Sequence, residues 1–150
     1  MYGCLGFGSS RFYAKPIAAL ITHLGREILQ ATVNTVREDL RLDVVYGDTD
    51  SIMVATNHTD CNEAIKIGHR IKKEINKKYK CLEIEIDGVY KSILLYKKKK
   101  YAALKEDNGV LSKEVKGLDM VRRDWSPIVK NVCDELLDSI LSGRPRDEIN

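Results

Sequence analysis

No run of eighteen apolar residues occurs anywhere in the 150-residue chain, so a membrane-spanning helix is not expected. The opening, MYGCLGFGSSRFYAK, lacks the basic stretch followed by an apolar core that marks a secretion signal. Cysteine and histidine are sparse. Cys4, Cys61, Cys81 and Cys133 form no C-x-x-C pair, and His23, His58 and His69 show no ligand spacing with them, which argues against a zinc site. Scattered single cysteines read instead as reduced core thiols of an intracellular protein. There is no internal repeat and no low-complexity linker. At 43% hydrophobic, the chain can bury one core of its own. Its first residues are already apolar and glycine-rich, and its end, RPRDEIN, carries no helix cap. It reads as a piece of something longer.

Charge is small overall but uneven. The net charge is +3, yet Lys97–Lys130 holds ten Lys/Arg against five Asp/Glu, a local +5. A basic segment on a neutral-to-acidic body predicts a localised polyanion-binding surface.

Hydrophobic periodicity predicts an α+β chain. Residues 2–9 read as a helix end and turn. Pro16 opens a helix reaching about Leu40, with Ile17, Ile21, Leu24 and Ile28 on one face. Asp43–Tyr46 and Ser51–Ala55 form a hairpin, and their continuous apolar runs suggest strands covered on both faces. A helix from about Asp60 to Tyr79 buries Ala64, Ile67, Ile71 and Ile75. Leu82–Asp87 alternates cleanly, as a strand would. Val89–Tyr96, Lys100–Leu104 and Val110–Val115 follow as strands, the last pair joined by a turn at Asp107-Asn108-Gly109. A final helix starts near Ser126-Pro127 and carries Ile128, Val132, Leu136 and Ile140.

The strongest chemical signal is Tyr46-Gly47-Asp48-Thr49-Asp50-Ser51. Asp48 and Asp50 stand two residues apart in a tight turn, and no Lys or Arg occurs between Arg41 and Lys66 to neutralise them. Two close carboxylates favour a bound hard cation such as Mg²⁺, which completes its shell with water and substrate phosphates. The bland alternative is that Gly, Asp, Thr and Ser are simply good turn residues.

YGDTDS resembles the acidic signature of family-B DNA polymerases. Three further stretches resemble elements of that family in the same order. YGCLGF resembles the end of K-x-x-x-N-S-x-Y-G on a fingers helix, with only Tyr2 and Gly3 of that motif present. KKKKYAAL resembles the DNA-contacting Lys-Lys-x-Tyr element, and KGLDMVRRDW the passage into the thumb. SRFYAKPIAALIT and the four lysines look most like the alpha-type eukaryotic branch of the family.

The resemblance implies a fold and a set of roles. Residues 1–14 would end the fingers and return to the palm, 15–115 would be palm, and 116–150 would begin a helical thumb. Asp50 would bind the catalytic metals, two Mg²⁺ ions shared with an Asp outside this chain. Asp48 would sit beside it, shaping the field or binding through water. The partner motif D-x-x-S-L-Y-P-S is absent here, so the chain alone is expected to be inactive. Tyr2 and Gly3 would line the minor-groove side of the nascent base pair. Lys98, Lys99, Lys100 and Tyr101 would face the primer–template, with Lys116, Arg122 and Arg123 following the duplex. Strand alternation would send Lys98 and Lys100 one way, and Lys97 and Lys99 the other. Glu83 and Glu85 read as an exposed or lysine-paired face, with the sharper expectation that one lies near the metal cleft. The implied partners are primer–template DNA, dNTP, primase and accessory subunits, in the nucleus and away from membranes.

Two other readings compete. A catalytically inert relative kept as a DNA-binding scaffold would have no need of two clustered acids. A reverse transcriptase would commonly carry Y-x-D-D, whereas Thr49 separates the acids here.

Overall fold

The computed structural model describes residues 2–107 and 109–143. Helices and antiparallel strands make up a mixed α and β chain, in two compact units. One contains the residues up to Asn57 together with Lys73–Leu82. The other contains His58–Lys72 and the residues from Glu83 onward. Among the described residues, no helix is long and apolar enough to cross a membrane.

The first unit begins with α1 (Tyr2–Gly6) and α2 (Lys15–Asn34), the latter with Pro16 in its first turn. The helix does continue to Asp39, but Thr35–Asp39 widens into a π-helical turn. The local sequence explains why. In ATVNTV the β-branched residues crowd the helix, and the Thr32 and Thr35 hydroxyls donate back to the carbonyls of Ile28 and Ala31 at 2.8 and 2.9 Å. The Leu40 N–H then reaches five residues back, to the Thr35 carbonyl at 3.2 Å. Arg37 Nη2 donates to the Val44 carbonyl at 3.2 Å, tying this turn to the strand that follows. Val36 and, from the 73–82 segment, Ile75 are the largest fully buried side chains here.

That strand, β1 (Asp43–Asp48), pairs antiparallel with β2 (Ser51–Ala55). The two form a sheet of their own, and the expectation of cover on both faces is not met. Val44 is buried but Val45 is 51% exposed. A continuous apolar run reports a capacity for burial; what covers it is decided elsewhere in the fold.

The second unit takes most of α3 (Cys61–Asn76), which buries Ala64 and Ile71 as its periodicity predicted. A three-stranded meander follows: β3 (Val89–Lys97), β4 (Lys100–Asp107) and β5 (Val110–Lys116). After a short 3-10 turn at Asp119–Val121, Ser126 caps α4 (Pro127–Leu141), its Oγ accepting from the Val129 N–H at 3.4 Å. The core is Ala102, Leu137 and Leu141, with Leu94, Leu104, Val115, Leu118 and Met120 against it.

Three sequence expectations need correction here. Leu82–Asp87 is not a strand. Its alternation is answered by a helix: Ile86 lies against Gly68 of α3, where a Cβ would meet it at 2.9 Å, while Glu83 and Glu85 reach Lys72. The buried stripe of α4 is Leu137 and Leu141, one position round from the expected Val132 and Leu136, which are 60% and 46% exposed. Lys113 of β5 fixes that rotation by gripping Asp134 and Asp138 at 2.7 and 2.6 Å. Burial draws the Lys113 ammonium down, but the two carboxylates together push harder and the net shift is upward. Finally, the cysteines are not core thiols, since Cys4 and Cys81 are exposed and Cys61 and Cys133 half-buried. The Cys61 thiol donates to Glu106 Oε2 at 2.7 Å, and that carboxylate, followed by burial, raises it above the usual thiol range.

Candidate functional site

In the first unit the acidic turn is the tip of the β1–β2 hairpin. Asp48 closes β1 opposite Ser51, leaving Thr49 and Asp50 as a two-residue loop. The Asp50 N–H donates to the Asp48 carbonyl, Ser51 Oγ donates to the same oxygen at 3.4 Å, and Thr49 Oγ donates to Asp48 Oδ1 at 3.3 Å. Asp48 is half-buried and Asp50 exposed. Thr49 has φ +49, a left-handed conformation that a β-branched residue adopts at a cost of roughly 1–3 kcal/mol. Glycine would make this turn without strain, so the loop chemistry alone does not account for the residue chosen.

The donor set suits Mg²⁺ in kind, being hard carboxylate oxygen, but supplies only part of a shell. Among the described residues no group of three or more His, Cys, Asp or Glu is placed to hold a metal. A pair of carboxylates is enough for an ion whose remaining ligands are water and phosphate oxygens. Tyr2 and Gly3 lie on α1, Tyr2 half-exposed and Gly3 with open space about its Cα.

In the second unit the lysine run is a hairpin tip as well. Lys97 pairs with Lys100, so Lys98 and Lys99 form the loop, both exposed, and Lys99 has φ +62. Strand alternation therefore does not sort these four lysines; the turn presents the middle two together. Lys97 Nζ lies 5.5 Å from the Tyr96 ring centroid. Lys100 instead turns inward to Asp119 Oδ1 at 2.7 Å, which holds that carboxyl below its usual range. Gly117 passes directly under the Lys99 carbonyl at φ +66, leaving no space for a Cβ. Gly117→Ala is accordingly expected to lower stability by more than about 1 kcal/mol and to displace the Lys98–Lys99 turn. A thermal melt of the variant checks the first effect, its crystal structure the second.

Of the remaining expected DNA contacts, Arg122 Nε pairs with Asp124 at 3.3 Å and Arg123 is exposed. Lys116 joins a cluster that sequence reasoning missed. Its Nζ is 2.6 Å from Glu114 Oε1 and 5.8 Å from the centroid of Tyr101, which is only 7% exposed. The Tyr90 hydroxyl approaches Glu114 Oε2 at 3.3 Å, and the Tyr90 and Tyr101 rings meet edge-on at 6.5 Å. Lys116 first of all lowers the Glu114 carboxyl, while Glu114, then the Tyr101 hydroxyl, raise the Lys116 ammonium. The i, i+2 spacing of Glu114 and Lys116 on one strand face was legible in advance; the partner tyrosines were not.

Glu83 and Glu85 share Lys72, at 3.5 and 3.6 Å, which is the lysine-paired arrangement anticipated from sequence, although not on a strand. Both carboxylates are largely exposed, so the pairings contribute little stability.

Two acids thus stand at the tip of one hairpin and two lysines at the tip of another. The family model for DNA polymerase family B matches residues 1–149, and the chain belongs to that family. It is 57% identical over 155 residues to the DNA polymerase alpha catalytic subunit of Sterkiella nova, and 57% over 154 residues to that of Xenopus laevis. Against that of Mus musculus the identity is 54% over 154 residues. Each comparison covers 99% of this chain and 10% of the relative, so the chain spans about a tenth of the length of the proteins it matches.

Proposed function

We propose that this chain is part of the catalytic core of a DNA-directed DNA polymerase of the alpha type, acting within a longer polypeptide. Residues 1–14 would complete the fingers, 15–115 would form palm, and 116–150 would begin the thumb. The observation that carries the reading is the β1–β2 hairpin, which ends in Asp48 and Asp50 around a strained Thr49, in a chain of this family.

Asp50 would hold divalent metal, with Asp48 beside it, and an aspartate outside this chain would complete the cage. Bound there, Mg²⁺ would lower the pKa of the primer 3′-hydroxyl and neutralise charge on the incoming triphosphate. The chain's own residues would do the rest. Asp48 and Asp50 fix where positive charge can sit, and Tyr2 and Gly3 test the shape of the new base pair. Lys98 and Lys99 hold duplex phosphates without regard to sequence, as copying any template requires. Lacking its partner carboxylate, the 150-residue segment would not polymerise alone. A nuclear location and association with primase follow from the alpha-type likeness.

Crystals of the intact enzyme soaked with Mn²⁺ and nucleotide are expected to show anomalous density against Asp50. Density only at other carboxylates would overturn the assignment. Lys99→Ala should weaken primer–template binding and make the slope of log affinity against log salt shallower by about one unit. Fluorescence anisotropy across a salt series reads both. An unchanged slope removes Lys99 from the phosphate contacts.

A further inference from the structure

One face of the second unit's sheet carries a polar cluster, with Lys116 at its exposed edge. Tyr101 and Lys116 are cross-strand partners on β4 and β5, and Glu114 lies two residues before Lys116 on the same face. Lys116 is set 2.6 Å from Glu114 and 5.8 Å from the Tyr101 ring centroid. Tyr90 closes the arrangement from β3, with its hydroxyl 3.3 Å from Glu114 and its ring edge-on to Tyr101 at 6.5 Å. Lys98 and Lys99 stand exposed on a turn, and Lys116 is exposed as well but lies against the Glu114 carboxylate on the sheet.

We propose that Lys116 and Glu114 form a positioning pair for Tyr101, Glu114 holding the ammonium over the ring and the ammonium fixing the ring's orientation at the start of β4. Lys116 on this account is not a phosphate ligand, and the expectation that it follows the duplex is replaced. The inference rests on the reading that the Lys98–Tyr101 stretch meets primer–template. Its geometry has a physical basis: a cation near an aromatic face restrains both groups, and the ion pair with Glu114 biases the exposed Lys116 toward the ring. Tyr101 is uncharged and the Lys116–Glu114 pair is neutral, so removing both charges together changes affinity without changing the number of counterions released on binding.

The test uses the intact polymerase catalytic subunit carrying Lys116→Met, Lys116→Arg, Glu114→Gln and Tyr101→Ala singly, Lys116→Met combined with Glu114→Gln, and Lys116→Met added to Tyr101→Ala. Lys116→Met combined with Glu114→Gln, which leaves the local net charge unchanged, is expected to weaken primer–template binding about two- to fivefold with the salt slope unchanged. Lys116→Arg should recover most of the loss, and Lys116→Met should add nothing to Tyr101→Ala. Glu114→Gln should weaken binding in the same direction. In protein labelled with ¹³Cζ-tyrosine and free of DNA, Lys116→Met should move the Tyr101 resonance. A salt slope shallower by about one unit when Lys116→Met and Glu114→Gln are combined would make Lys116 a direct phosphate contact and overturn the proposal. Tighter binding by Glu114→Gln would overturn it as well, by making Glu114 a competitor for Lys116. An unmoved Tyr101 resonance would do so independently of DNA. If Tyr101→Ala leaves binding unchanged while the resonance still moves, the pair positions the ring but the DNA-facing reading of this stretch fails.

Discussion

Asp50→Asn in the intact enzyme is expected to abolish nucleotide incorporation while leaving primer–template binding nearly unchanged. The substitution removes one negative charge from an exposed position on a two-residue loop and changes little else. Asn fits the same turn, so the hairpin should persist. What is lost is the anionic oxygen that would hold metal against the triphosphate. Charge stabilisation of that kind is worth several kcal/mol, and about 4 kcal/mol corresponds to roughly a thousandfold in rate. Single-turnover incorporation and equilibrium binding, measured on the same preparation, separate the two effects. A near-normal rate would remove Asp50 from the metal site. Asp48→Asn is the useful companion. Asp48 is half-buried and accepts from Thr49 within the turn, so its replacement disturbs the loop as well as the charge.

The second large effect concerns stability. Leu137→Ala is expected to cost about 2–5 kcal/mol, because Leu137 is 6% exposed in the core shared with Ala102 and Leu141. Val132→Ala, on the face that periodicity alone would have chosen, should change stability within about 0.5 kcal/mol. Urea unfolding of the 150-residue chain measures both. Equal costs would mean that α4 buries the other stripe. The contrast is informative because both positions are apolar and on one helix, and only the contacts made by the sheet and the Asp119–Val121 turn distinguish them.

Much of this architecture was legible in residue order. Pro16, Ser126-Pro127 and the helical spacing of Ala64, Ile71 and Ile75 marked helices within a few residues of their ends. The last strand of the meander and the acidic hairpin were readable because turn residues separate β-rich runs. The YGDTDS turn announced its chemistry through composition: two acids, no local cation, apolar flanks. Other features were not legible, for reasons that differ. Leu82–Asp87 alternates like a strand, but alternation reports only an extended chain with two different sides. Gly68 and Lys72 of α3 supply what each side meets. Four successive lysines looked like a strand with two faces, because nothing in the run signals a turn without glycine. Gly117, far along the chain, passes beneath the Lys99 carbonyl there.

Sequence by itself determined most of the element types, the hairpin that carries Asp48 and Asp50, and the concentration of positive charge between Lys97 and Lys130, since each depends on neighbours within a few residues. Tertiary structure alone decided which stripe of α4 is buried, which lysines stay exposed, and that Lys116 is held by Glu114 beside Tyr101. Those outcomes depend on residues brought together from separate strands and helices, and short-range pattern carries no record of which partner will be there.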